Sequence, residues 1–127
     1  MWRRTTFIVL SPSSLETAIA AAHAAADKKA EDIRILDLQG LSSFADYFVI
    51  CSGKSDPQLK AIVSAVRSAL RENPRVAPQA VDGLPGSQWM VIDYGDVLVH
   101  VMQTERRAFY ALDDLWSDAP LVEWNEA

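Results

Sequence analysis

Cysteine is nearly absent from this 127-residue chain, Cys51 standing alone, which excludes an internal disulfide framework and a cysteine-based zinc site. A reducing compartment, the cytoplasm, is the expected setting. No apolar run approaches membrane-spanning length. Basic residues are outnumbered, 12 Lys and Arg against 17 Asp and Glu for a net charge of −5. A groove that tracks nucleic-acid phosphate needs a basic footprint, so this balance favours a protein partner, and a basic one best, over sequence-specific nucleic acid. Internal repeats are missing, as is low complexity beyond an alanine-rich stretch near the start. Half of the residues are hydrophobic by a broad count and mean hydropathy is near zero, the composition of a folded single domain with a real core. The opening Met-Trp-Arg-Arg-Thr-Thr-Phe-Ile-Val-Leu has too short an apolar core for a signal peptide. Residues 1–12 are therefore read as a tail or an extra strand, 13–120 as one domain and 121–127 as a C-terminal tail with one aromatic, Trp124.

Ser13 and Glu16 stand at capping-box spacing, and Leu15, Ala18, Ile19, Ala22 and Ala26 recur on one helical face, so a helix is expected from about 14 to 29. Ile33 to Leu38 reads as a strand. From Phe44 to Ser52 the sequence is almost continuously apolar or aromatic, as in a strand buried on both faces and central in its sheet. Asp56 as N-cap and Pro57 at the first helical position open a second helix, striped by Leu59, Ile62, Val63, Val66, Ala69 and Leu70 and ended by Asn73-Pro74. A short edge strand is expected near 76–81. Phe109, Leu112, Leu115 and Trp116 suggest helical turns between 104 and 116. The order α-β-β-α-(β)-β-β-α makes an α/β (α+β) fold, a mixed sheet of about five strands with helices packed against it.

The stretch from Gln88 to Met102 carries the most information. Two β-branched runs flank Gly95-Asp96, the signature of a tight hairpin. With those two as the loop, Tyr94 pairs with Val97, Ile92 with Val99 and Met90 with Val101; on the other face Asp93 pairs with Leu98, Val91 with His100 and Trp89 with Met102. The first face is wholly apolar and is core. The second mixes Trp89, Val91, Leu98 and Met102 with Asp93 and His100, a blend suited to meeting another protein, where Trp and Met are enriched. Cover by another layer of the same chain is the other reading, and the sequence leaves both open.

Candidate chemistry is sparse. Ser52-Gly53-Lys54-Ser55 lies between a strand and a helix, where N–H groups and a lysine could hold phosphate, but it lacks both the P-loop and the dinucleotide spacing and reads as a capped turn. Asp46, Asp93 and Asp96 could be gathered around a metal, yet the last two flank a turn where aspartate is common for local reasons, and no Asp-x-Asp pair is present. His100 has no second histidine, cysteine or Ser-His-Asp partner at useful spacing, His23 lying in the first helix. A hydrogen bond from His100 to an acid, with Asp93 diagonal to it, fits better than a general base. Cys51 reads as a small buried hydrophobe, and Arg106-Arg107 as a solvated helix face. No catalytic residue, metal or cofactor is expected. An enzyme or nucleotide-binding module using Ser52 to Asp56 is the alternative.

Ala45-Asp46-Tyr47-Phe48-Val49-Ile50-Cys51-Ser52-Gly53-Lys54-Ser55, then Asp93 to Val101, then Phe109-Tyr110 and Leu115-Trp116-Ser117-Asp118-Ala119-Pro120, resemble the ribosomal silencing factors, or Iojap-like family. The similarity runs in order from the first helix to Pro120. It implies a nucleotidyltransferase-like fold without catalytic residues. It also implies a translational repressor that binds the fourteenth protein of the large ribosomal subunit, so that the small subunit cannot join. Trp89, the tip from Tyr94 to Asp96, Met102 and Tyr110 then stand at partner-binding positions, and the mixed hairpin face adds Asp93, Leu98 and His100 to the expected contact surface. Lys54 to Pro57 depart from the family pattern, and the first ten residues have no counterpart. An exposed apolar face on the free protein also predicts a homodimer.

Overall fold

The computed structural model describes residues 13–43, 45–71, 80–82, 88–110 and 118–124, by backbone alone at 80, 82 and 108–110. Helix α1 (Ser14–Asp27) begins where the sequence places it, with a complete capping box. The Glu16 N–H donates to Ser13 Oγ (3.1 Å) and the Ser13 N–H to the Glu16 carboxylate (2.9 Å), an arrangement worth about 1 kcal/mol. Its inward face is almost all alanine, Ala18, Ala21, Ala22, Ala24 and Ala25 being buried, so the helix axis can lie close to its neighbours.

Strand β1 (Glu31–Asp37) pairs antiparallel with β2 (Tyr47–Gly53). Every residue of β2 is buried, as its apolar run requires. The strand is interior, between β1 and β5 (Val97–Gln103), and β5 takes the middle position that was expected of β2. β2 and β5 run parallel, which demands a crossover. That crossover contains α2 (Asp56–Arg71), β3 (Ala80–Asp82) and β4 (Trp89–Asp93), and the full sheet order is β1-β2-β5-β4-β3. Helix α3 (Thr104–Tyr110) closes the series, giving the expected element order and a mixed five-stranded sheet. The expected strand near 76–81 is observed at 80–82; residues 76–79, the end of the second helix at 73–74, and 111–117 lie outside the described residues, as do 1–12.

α2 starts one residue earlier than Asp56 as N-cap would place it. Ser55 is the cap, its carbonyl accepting the first helical bond from the Leu59 N–H (3.0 Å) and its Oγ the Gln58 N–H (3.3 Å). α1 and α2 cover one face of the sheet, where Ile35, Tyr47, Val49, Cys51, Ile92, Val97, Val99 and Val101 meet Ala21, Ala25, Leu59, Ile62 and Val66. Each fully buried Val, Ile or Leu contributes about 1.5–3 kcal/mol, so this layer is the main source of stability. The chain beyond Pro120, expected as a tail, instead lies along the outer edge of β1. Asp37 N–H donates to Pro120 O (2.9 Å), Val122 N–H to Ile35 O (2.9 Å), and the Trp124 indole N–H to Ile33 O (3.3 Å). Trp124 also meets the His23 ring edge to face at 5.4 Å. Open edge groups of β1 are thereby satisfied.

Candidate functional site

The hairpin β4–β5 has the register read from Gly95-Asp96. Trp89 opposes Met102, Met90 Val101, Val91 His100, Ile92 Val99 and Asp93 Leu98. The turn closes with Tyr94 N–H donating to Val97 O (2.9 Å), and Gly95 takes φ +89°, the left-handed region that glycine enters freely. Asp96 O accepts from both Asp46 N–H (2.7 Å) and Tyr47 N–H (3.2 Å), so the tip is fastened to the start of β2. At the other end Gln103 N–H bonds Gln88 O (2.8 Å), and Arg106 Nε donates to Gln88 Oε1 (2.7 Å).

On the sheet face away from α1 and α2, the register sets three rows across the strands: Leu36, Phe48, Leu98 and Asp93; Arg34, Ile50, His100 and Val91; Ser52, Met102 and Trp89. The rows grade from buried to half-buried. Phe48, Ile50 and Met102 form a second apolar cluster with Leu36, Leu38, Ala45 and Ala119, and Trp89 and Leu98 pack against it while remaining partly exposed. His100 is 5% exposed and Met102 fully buried, so these two candidate contact residues are the floor of the face and not its surface. Trp89, Val91, Asp93 and Leu98 are the accessible part. Tyr94 points to the opposite, helix-covered side, Asp96 is exposed at the tip, and Tyr110 ends α3 with its side chain outside the described residues.

Among the described residues His100 bonds no acid. Its Nδ1 accepts from the Trp89 indole N–H (3.2 Å), and its ring tilts against Phe48 at a centroid distance of 4.5 Å. Trp89 and Asp93 are both diagonal neighbours of His100, but the Asp93 carboxylate accepts the Gly95 N–H (2.8 Å) at the turn instead. Burial lowers the His100 pKa to about 4, so the ring is neutral at pH 7, with its proton on Nε2.

The other candidates resolve into structural contacts. In the Ser52–Ser55 turn the Lys54 N–H is engaged by Gln58 Oε1 (2.7 Å) and Lys54 Nζ pairs with Glu31 (3.3 Å). A Cβ on Gly53 would sit 3.0 Å from Leu59 Cδ2, so the glycine admits the helix, and the turn's donors face their own chain. Gln58, which nothing in the sequence singles out, also donates to Lys28 O (3.2 Å) and Lys29 O (3.1 Å), closing the end of α1. Asp46 accepts from Ser14 Oγ (3.1 Å), and among the described residues no group of three acids, histidines or cysteines is disposed to hold a metal. Cys51 is buried, its thiol pushed up to about 12 and donating to His100 O (3.7 Å).

Arg107 is not on a solvated face. It is 7% exposed, and its guanidinium donates to Ser52 Oγ (3.0 Å) and to Asp32 O, with the Asp32 carboxylate at 3.5 Å. Asp32 sits at a bulge of β1 with φ +49°, which turns its carbonyl toward the arginine. With Thr104 Oγ1 donating to Gly53 O (3.2 Å), these bonds fix α3 beside the hairpin.

A mixed sheet with two helices over one face and a half-exposed tryptophan-histidine hairpin on the other defines an α+β domain of the Iojap-like class. The chain belongs to the ribosomal silencing factor family, whose model, described as "Ribosomal silencing factor during starvation", matches residues 11–127. The ribosomal silencing factor RsfS of Bacillus subtilis (strain 168) is 44% identical over 103 residues, 81% of this chain and 86% of that protein. A crystal structure of a protein from Chromobacterium violaceum superposes with a TM-score of 0.79 at 32% identity, covering 84% of this chain and 88% of that one. A second, from Bacillus halodurans, gives 0.74 at 37% identity over 86% and 98%. The family's name is that of a regulatory factor, and no helix among the described residues is long and apolar enough to cross a membrane.

Proposed function

We propose that the protein is a cytoplasmic, non-enzymatic translational repressor that binds the fourteenth protein of the large ribosomal subunit and blocks subunit joining by occlusion. The observation that carries this reading is the half-exposed face of Trp89, Val91, Asp93 and Leu98 on a floor of His100, Met102 and Phe48. An aromatic anchor on a rigid sheet loses little entropy on docking, which is the character of a binding hot spot. Asp96 at the tip borders this face, Tyr94 pointing to its far side, and the bonds of Arg106 and Arg107 hold α3, and with it Tyr110, next to the hairpin. A standard interface of about 800 Å² per partner is enough for specific binding.

Trp89→Ala is expected to weaken binding to isolated large subunits by more than about 1 kcal/mol and to relieve the block on subunit joining, with the fold intact by circular dichroism. Leu98→Glu, which leaves the Trp89–His100 bond in place, is the independent variant. Unchanged co-sedimentation of both with large subunits rejects this face as the docking surface.

A further inference from the structure

Net charge conceals a local excess of the opposite sign. α2 carries three cations, Lys60, Arg67 and Arg71, and its single acid, Asp56, lies in the first turn. With Ser64 these fall at spacings of four, three and four residues, one strip about 16 Å long. They line a groove of about 200 Å³ whose floor is Val63 and Met90. None of the three cations pairs with an acid among the described residues. The Tyr94 hydroxyl is buried without a hydrogen-bond partner among the described residues and lies within the field of Arg67 and Arg71, which oppose the upward push of burial on its pKa.

Met90 follows Trp89 in β4 and points to the opposite side of the sheet, so the groove and the proposed docking face are separated by one strand. The two surfaces lie on opposite sides of β4, so a particle that takes Trp89 reaches the strip by extending around the β3 edge of the sheet. The body proposed above is largely RNA, and an acidic chain approaching it is repelled overall. A row of cations on one helix face is suited to a backbone that presents a row of anions, and it needs no base readout.

We infer that the Lys60–Arg67–Arg71 strip beside Met90 is a phosphate-contacting surface that engages ribosomal RNA backbone when the protein docks on the large subunit. The inference rests on the proposed function. It gives the acidic chain a sequence-independent electrostatic hold on the particle beside its protein contact.

The test measures binding of the full chain to isolated large subunits between 50 and 200 mM salt, for the wild type and for Lys60→Gln/Arg67→Gln/Arg71→Gln. Three neutralised phosphates at about 0.7–0.9 each make the wild-type slope of log K against log salt steeper by about 2 to 3, so across that range the wild type loses roughly 20- to 40-fold more affinity than the variant. Binding to the purified fourteenth ribosomal protein is expected to be unchanged by the triple substitution. Parallel slopes with wild-type binding intact overturn this inference and leave the proposed function standing. A variant that loses affinity equally for the purified protein overturns it too, because the strip then faces an acidic protein surface. A wild-type chain that does not bind large subunits overturns the proposed function and this inference together.

Discussion

A neutral histidine beneath a tryptophan makes the candidate face sensitive to acid. The Trp89 indole N–H needs an unprotonated Nδ1 on His100, and the ring's burial holds its pKa at about 4, against about 6.5 in the unfolded chain. Between those values the unfolded state binds more protons, so stability falls as pH drops from about 6.5 to about 4 and this contribution is constant above and below. By pH 5 the loss is about 2 kcal/mol. Urea denaturation at pH 7 and pH 5 checks it: His100→Phe, similar in volume and facing Phe48, is expected to lose this part of the fall. Equal pH dependence in both proteins would count against the buried neutral ring. The face of His100 was legible in the alternation of β5, but its partner was not. Trp89 and Asp93 are equivalent diagonals on paper, and what separates them is the local turn, where Gly95 N–H claims the aspartate.

Elements whose signals are local were read well. Ser13 and Glu16 fix the start of α1, Gly95-Asp96 fixes the register of five cross-strand pairs, and the unbroken apolar run of β2 reflects burial on both faces. Elements joined by long-range polar contacts were not. Arg107 looks like one of two surface cations in a short helix, and nothing nearby in sequence announces that a bulge at Asp32, 75 residues away, offers it a carbonyl. The docking of Trp124 on Ile33 O and the closure of α1 by Gln58 have the same character. The two readings of Arg107 differ in energy. A solvated arginine could be replaced within about 0.5 kcal/mol. The observed one leaves the buried Ser52 hydroxyl and the Asp32 carbonyl without their charged donor, at about 1.5–3 kcal/mol. Arg107→Met is therefore expected to lower the free energy of unfolding by about 2 kcal/mol in urea titrations. Arg107→Lys is expected to recover only part, because an ammonium lacks the planar fork that reaches both acceptors.

For the whole molecule, a single sheet has to serve two sides. α1 and α2 cover most of one face, while on the other the second apolar cluster thins out toward β4, where Trp89, Val91 and Leu98 stay partly exposed. Such a border is stable in water when a partner covers it, and in the free protein the most available partner is a second copy, related by a two-fold axis that lets one patch serve both chains. Light scattering at micromolar concentration is expected to give a dimer, and Leu98→Glu, which would place two carboxylates near the axis, a monomer. The same patch cannot be covered twice. If the dimer and the ribosomal complex both use it, large subunits bind only the monomer, and the apparent affinity for them weakens as protein concentration rises above the dimer dissociation constant. A wild type that is monomeric at micromolar concentration, or a dimer that binds large subunits without dissociating, would separate the self-association surface from the Trp89 face.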